Sequence, residues 1–238
     1  MSAMLELASL SRGFGGLVVF DRLALAVNKG EMVGILGPNG AGKTTLFNII
    51  TGVLPPGQGR IVFENRDITF MKVWHRCRLG IGRTYQIPKP FSHMSVFENV
   101  LVAAVHGGGM ALADAKGNAE AILTRAGLVH RARLAAGNLT LLDMKRLELA
   151  KALALRPRLL LLDEIAGGLT EAECDLLLDT IAEVHRSGVT ILWIEHVIRA
   201  LRRLVTRLVV LAGGRLIADG VPQEVLADRR VREAYLGT

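Results

Sequence analysis

The chain has 238 residues, half of them hydrophobic. That is enough for one large α/β domain with an inserted subdomain, and too apolar for intrinsic disorder. Its net charge of +7 suits phosphate-bearing partners such as nucleotides, nucleic acid or an anionic membrane face, although a solvated basic surface explains it equally well. Cys77 and Cys174 are far apart and lack CxxC spacing, which excludes a disulfide framework and a zinc signature and fits a reducing cytoplasm. The N-terminal stretch shows no apolar core of a signal peptide. Apolar runs such as Leu159–Leu162 fall well short of the ~18 residues that cross a bilayer, so the chain is not itself expected to be a permease.

In chain order, residues 5–27 alternate apolar stretches with Gly13, Gly15 and Gly16, which predicts edge strands and a turn. Met32–Leu36 predicts a short buried strand, followed by a glycine-rich loop and a helix from Thr44 to Gly52. Residues 59–63 predict another strand, and a third ends near Gln86. From Pro88 to about Leu155 the pattern is mostly helical, with a break at Gly107–Gly109. Leu159–Leu162 and Val189–Ile194 read as strands, and Thr170 with Glu173 as a capping box between them. Leu177, Ile181 and Val184 share one helix face, a core stripe rather than a site. Gly213-Gly214 lies between two apolar runs and predicts a hairpin. Strands alternating with helices point to a mostly parallel sheet. The helical stretch 88–155 lies between two strands and reads as an insertion.

Gly37-Pro38-Asn39-Gly40-Ala41-Gly42-Lys43-Thr44 matches GxxxxGK[ST]. Glycines let backbone N–H groups approach phosphate oxygens with no side chain in the way. Lys43 is placed to reach the β- and γ-phosphates and the Thr44 hydroxyl to ligate Mg²⁺, while the following helix aims its positive end at the same anion. Downstream, Leu159–Leu162 ends in Asp163 and Glu164. With a triphosphate cradle upstream, Asp163 suits Mg²⁺, usually through water, and Glu164 suits a general base that polarises the attacking water. Ile191–Ile194 likewise ends in Glu195 and His196, where an imidazole can hydrogen-bond a γ-phosphate. Gln86 follows Ile81-Gly82-Arg83-Thr84-Tyr85, where a Mg²⁺ or water ligand can sit. By themselves, a strand-end His and a lone Gln are more often structural or solvated.

In this order the pieces resemble an ABC transporter nucleotide-binding domain, across nearly the whole chain. The resemblance implies a P-loop NTPase with an N-terminal antiparallel β subdomain, a nucleotide-binding core at 1–87 and 156–238, and a helical signature subdomain at 88–155. It makes Phe14 the aromatic that stacks on adenine, and Gly37–Thr45 the Walker A loop. Gln86 becomes the Q-loop, Glu164 the catalytic glutamate after Walker B Asp163, Gly167–Thr170 the D-loop and His196 the switch histidine. Within this family the chain is most similar to the branched-chain amino acid uptake branch, whose members also serve amides and urea. Phe14-Gly15-Gly16-Leu17, Arg83-Thr84-Tyr85-Gln86 and Glu233-Ala234-Tyr235-Leu236-Gly237 carry that narrower match. An exporter ATPase such as that serving lipopolysaccharide has a similar architecture. A soluble ABC ATPase acting on nucleic acid, and a non-hydrolysing regulator, are the readings from other classes. The long coiled-coil insertion or second fused ATPase domain common in the former is not in this sequence, and Glu164 with His196 opposes the latter, so no nucleic-acid partner is expected.

The resemblance further implies ATP and Mg²⁺ as ligands, membrane permease subunits as partners and, indirectly, a substrate-binding protein. The chain would sit at the cytoplasmic face of the inner membrane and close face to face on a second ATPase subunit. One departure bears on that dimer. The LSxGQ signature reads Leu139-Thr140-Leu141-Leu142-Asp143 here. Thr140 can replace the serine hydroxyl at the nucleotide. Leu142, however, stands where glycine is usual, and a non-glycine forced into a left-handed backbone costs about 1–2 kcal/mol. Asp143 would compete with phosphate for the helix N-terminus. The expected assembly is therefore asymmetric, a heterodimer with a normal signature in the partner, with a homodimer as the alternative.

Overall fold

The computed structural model describes residues 3–236. In chain order the elements are β1 (Ala3–Phe14), β2 (Leu17–Asn28), β3 (Met32–Leu36), α1 (Lys43–Thr51), β4 (Gln58–Phe63), β5 (Arg66–Asp67), α2 (Val73–Arg78), β6 (Ile81–Arg83), α3 (Val96–Val102), α4 (Leu112–Arg125), α5 (Leu141–Leu153), β7 (Leu159–Asp163), α6 (Glu171–Arg186), β8 (Thr190–Ile194), α7 (Ile198–Leu204), β9 (Arg207–Ala212), β10 (Arg215–Gly220), α8 (Pro222–Ala227) and α9 (Arg229–Leu236). They form two compact units. One holds the chain up to Arg76 and again from Thr190; the other is Cys77–Val189. Gly237, part of the C-terminal similarity, lies outside the described residues.

The first unit holds two kinds of sheet, and burial explains both. β2, β1, β4 and β5 form an antiparallel sheet in that order. Leu23, Leu25 and Val27 are buried while Ala24 and Ala26 are exposed, the period-two pattern of a sheet with one wet face. β1 breaks register between Leu7 and Leu10, and Ser9 between them has a positive φ of 51°. This is a bulge that keeps Leu5, Leu7 and Leu10 on the core side. β3 pairs in parallel with β8 and with β9, and β10 adds to β9 antiparallel. β3 and β8 are buried at every residue, as parallel strands covered on both faces must be. The expected hairpin turns at Gly213-Gly214, both at positive φ.

Helix α1 drives Leu46, Phe47, Ile49 and Ile50 into this core, all fully buried. Its C-terminus stops at Gly52. There Arg76, 1 % exposed, donates from Nη1 to the Ile49 and Ile50 carbonyls at 2.7 and 2.8 Å, from Nη2 to Thr69 O at 3.0 Å and from Nε to Met71 O at 2.8 Å. These acceptors include carbonyls that a helix end leaves without partners, and the charge complements the helix dipole. Burial pulls the Arg76 pKa down to about 10, which leaves it protonated at neutral pH.

In the second unit β6 and β7 pair in parallel, Ile81 to Leu159 and Arg83 to Leu161. β6 ends at Arg83, so Gln86 lies beyond the strand rather than at its tip. Residues 88–95 are irregular, not helical: Pro88 and Pro90 interrupt the backbone, and the first helix waits for Ser95, which caps α3 in a capping box with Glu98. Asn99, fully buried, ties that loop down through Phe91 and Ser95. The helix continues as a π-turn at Ala103–Gly107 before the glycine break. Thr170 and Glu173 form the expected capping box on α6, and Leu177, Ile181 and Val184 are fully buried.

Helix α5 corrects two expectations about the signature. Thr140 is its N-cap, accepting from the Asp143 N–H at 3.2 Å, and the helix starts at Leu141. Leu142 is thus the second helical residue and is absent from the positive-φ positions; a right-handed first turn accepts any side chain without strain. Asp143 is 6 % exposed, with Arg131 at 3.5 Å and Arg146 at 3.6 Å. Its charge is balanced by two guanidiniums instead of facing outward at the helix N-terminus.

Two stability measurements follow from these contacts. Arg76→Met, which strips four hydrogen bonds from carbonyls, is expected to lower the unfolding free energy by about 3 kcal/mol in urea titration. A loss under about 0.5 kcal/mol would contradict the capping role. Leu142→Gly is expected to destabilise by about 2 kcal/mol or more, since it places glycine in a helix and removes a buried side chain. A strained Leu142 would give the opposite sign.

Candidate functional site

The chain between β3 and α1 makes its turn through two glycines. Gly40 has φ 80° and Gly42 φ 96°, a region that L-residues rarely enter. A Cβ on Gly42 would come within 2.8 Å of the Phe20 ring and of Val19. Gly37 is held for a second reason: a Cβ there would lie 2.3 Å from the Leu211 carbonyl oxygen of β9. Lys43, 9 % exposed, folds its ammonium back over the loop and donates to Gly37 O at 2.7 Å and Pro38 O at 3.1 Å. The ammonium therefore lies across the mouth of the loop. Ala41 N–H closes the turn onto Pro38 O at 3.2 Å. Asn39, Gly40 and Thr44 are exposed, and Thr44 and Thr45 stand on the first turn of α1.

This chemistry fits a triphosphate. Small or glycine residues open the backbone, a lysine is aimed into the loop, and a helix N-terminus without an acidic residue in its first turn offers N–H groups and a positive dipole. Also in the first unit, Phe14 ends β1 half exposed, with the Arg12 guanidinium 4.8 Å over its ring. His196 follows β8. Its backbone N–H and that of Val197 donate to the buried Glu195 carboxylate at 2.9 and 3.2 Å, and its Nδ1 lies 3.4 Å from the same oxygen. A fully buried Glu195 thereby fixes the direction of an exposed imidazole.

The second unit brings together Gln86, Asp163 and Glu164. Asp163 ends β7 with a carboxylate 5 % exposed, paired with Arg83 at 2.7 Å. Its backbone N–H donates to the Thr84 hydroxyl at 3.1 Å. Glu164 has φ 45° although it is not glycine. Residues held in such sparsely populated backbone regions concentrate at functional sites. The Gln86 amide donates to its carboxylate at 2.6 Å. Thr140 lies on a different part of this unit, at the start of α5. Within this unit Gln86 and Asp163 offer oxygen donors of the kind a hard cation such as Mg²⁺ takes, and in the first unit the Thr44 hydroxyl is another such donor. No cluster of three His, Cys, Asp or Glu exists among the described residues.

Sequence reasoning missed the direct partners of these acids. Arg83 enters the sequence reading only as part of the family match, and Lys145 not at all. Yet Lys145, 3 % exposed, donates to the Gln86 carbonyl at 2.6 Å and lies 3.4 Å from the Glu164 carbonyl.

Comparison with known proteins agrees with this chemistry. Residues 20–167 match the ABC transporter family, and residues 215–238 match the branched-chain amino acid ATP-binding cassette transporter family. The chain is 35 % identical to the high-affinity branched-chain amino acid transport ATP-binding protein LivG of Salmonella typhimurium, over 98 % of each chain. It is 34 % identical to the lipopolysaccharide export system ATP-binding protein LptB of Acidithiobacillus ferridurans, over 100 % of this chain and 98 % of the relative. Among solved structures, the ADP conformation of an ATP-binding cassette of an ABC transporter aligns with TM-score 0.90 and 31 % identity over the whole of both chains. No helix among the described residues is long and apolar enough to cross a membrane. The chain belongs to the ABC transporter family and is an ATP-binding, ATP-hydrolysing subunit of a transporter.

Proposed function

We propose that this subunit energises uptake of branched-chain amino acids or related small amino acids, amides or urea. The observation that carries the reading is the separate match of residues 215–238 to the branched-chain family. The LivG relatives support it. Export of lipopolysaccharide is the second reading, favoured by full-length similarity to LptB.

In either case the residue roles are the same. The N–H groups of 40–45 and the Lys43 ammonium bind the triphosphate, and Phe14 stacks on adenine. Glu164 polarises the attacking water, while Gln86 and His196 steady that water and the γ-phosphate. Thr44, Gln86 and Asp163 would hold Mg²⁺, which supplies charge neutralisation as the γ-phosphate departs.

The subunit works at the cytoplasmic face of the inner membrane beneath permease subunits, with residues 88–155 as the signature-bearing insertion. A binding protein delivers substrate to the permease. Its ATPase partner is a different chain carrying a glycine-containing signature. The heterodimer no longer rests on strain at Leu142. It rests on bulk at the helix start: Leu142, the second helical residue, replaces the motif's glycine with a branched side chain, and Leu141 before it is 42 % exposed. Thr140 keeps the hydroxyl that would reach nucleotide across the dimer.

Two substitutions test the roles with the purified chain and its cognate subunits. Lys43→Ala is expected to weaken Mg·ATP binding at least about tenfold by calorimetry. Glu164→Gln is expected to keep binding but cut turnover by about 10²-fold or more, as loss of a general base does. Turnover of the mixed assembly that survives Glu164→Gln would refute the asymmetric arrangement. ATPase activity stimulated by a leucine-loaded binding protein would support uptake; stimulation by lipopolysaccharide instead would make the chain an exporter subunit.

A further inference from the structure

We infer that Lys145 is a positioning residue for Glu164, acting from the signature helix on the backbone that aims the catalytic carboxylate. The inference deepens the reading of Glu164 as the base and rests on it. Three polar contacts make a closed ring. The Lys145 ammonium donates to the Gln86 carbonyl at 2.6 Å and lies 3.4 Å from the Glu164 carbonyl, and the Gln86 side-chain amide donates to the Glu164 carboxylate at 2.6 Å. The backbone and the side chain of Glu164 are thus both engaged, and Gln86 is held at its own backbone while it does so.

The second observation is conformational. Glu164 sits at φ 45°, which a residue with a Cβ tolerates only where its surroundings over-determine it. An ammonium beside its carbonyl supplies such a constraint. Lys145 itself is a poor choice for stability alone. A charge 3 % exposed loses most of its hydration, and an apolar side chain of similar length would fill the space without that cost. The residue lies in the second turn of α5, five positions after the Thr140 cap. A rigid helix carries cap and ammonium together, so displacement of α5 changes the hold on Glu164. The signature helix α5 then carries both the Thr140 cap and the contact on the Glu164 backbone.

The test compares Lys145→Met, Lys145→Arg and Glu164→Gln in the purified chain with its cognate subunits, using Mg·ATP. For Lys145→Met the expected result is a kcat at least about tenfold lower, with Mg·ATP affinity within about threefold of wild type. Lys145→Arg should recover most of the loss. Backbone amides of 84–87 and 164–167 should exchange with deuterium at least about tenfold faster in Lys145→Met, with the rest of α5 unchanged. Turnover within about twofold of wild type, or affinity and kcat falling together with a lowered Tm, would overturn the inference. Should the methionine chain not fold, Lys145→Gln is judged by the same criteria, and failure of both to fold marks Lys145 as structural and overturns it. Undiminished turnover in Glu164→Gln would sink the base assignment itself; the exchange measurement judges the Lys145 contact separately.

Discussion

The structure depends most on one backbone constraint: the chain must leave β3 and enter α1 through a turn in which Gly37 and Gly42 have no room for a side chain. Gly37 approaches the Leu211 carbonyl too closely for a Cβ, and Gly42 turns against Phe20 and Val19 at φ 96°. Those contacts set where the first N–H groups of α1 point and where Lys43 reaches. The hydrophobic face of α1 and the Arg76 cap at its far end hold the helix in place behind the loop. A helix end offers anion-binding groups whatever its sequence; here both ends are tied, one by sterics and one by a buried guanidinium.

The second unit solves a different problem, that of holding acids near one another without wasting them. Asp163 is engaged by Arg83, and Glu164 by Gln86 and, through its carbonyl, by Lys145. Arg83 and Asp163 come from the paired strands β6 and β7 and Lys145 from α5, while Gln86 and Glu164 lie just past the ends of those strands, so regular elements anchor the segments that carry them. That organisation suits a base that must meet a water in one direction only.

Much of the fold was legible because its strongest signals are local. Buried parallel strands appear as unbroken apolar runs, as at Met32–Leu36, Leu159–Leu162 and Ile191–Ile194. The Thr170–Glu173 cap and the Gly213-Gly214 hairpin are decided within a few residues. The cradle and the two acids were legible for the same reason. What escaped was non-local. Arg83 meets Asp163 across a strand pair, and Lys145 on α5 reaches Gln86, 59 residues earlier, and Glu164, 19 residues later. No periodicity encodes such contacts. α2 is only six residues long, three of them His or Arg, so it too left no pattern. The error at Leu142 has a clear cause. A missing glycine was read as a missing conformation, whereas the first turn of a capped helix is right-handed and needs none. What the substitution changes there is bulk and charge partners, not backbone strain.

The most direct measurement of the central claim is calorimetric titration of Mg·ATP into the chain carrying Gly42→Ala. If the left-handed turn aims the phosphate-binding groups, affinity should fall at least about tenfold, because a methyl group there is strained and meets Phe20, while the far-ultraviolet spectrum and a single cooperative melt persist. Binding within about twofold of wild type would contradict it, since the turn would then not be what organises the triphosphate site.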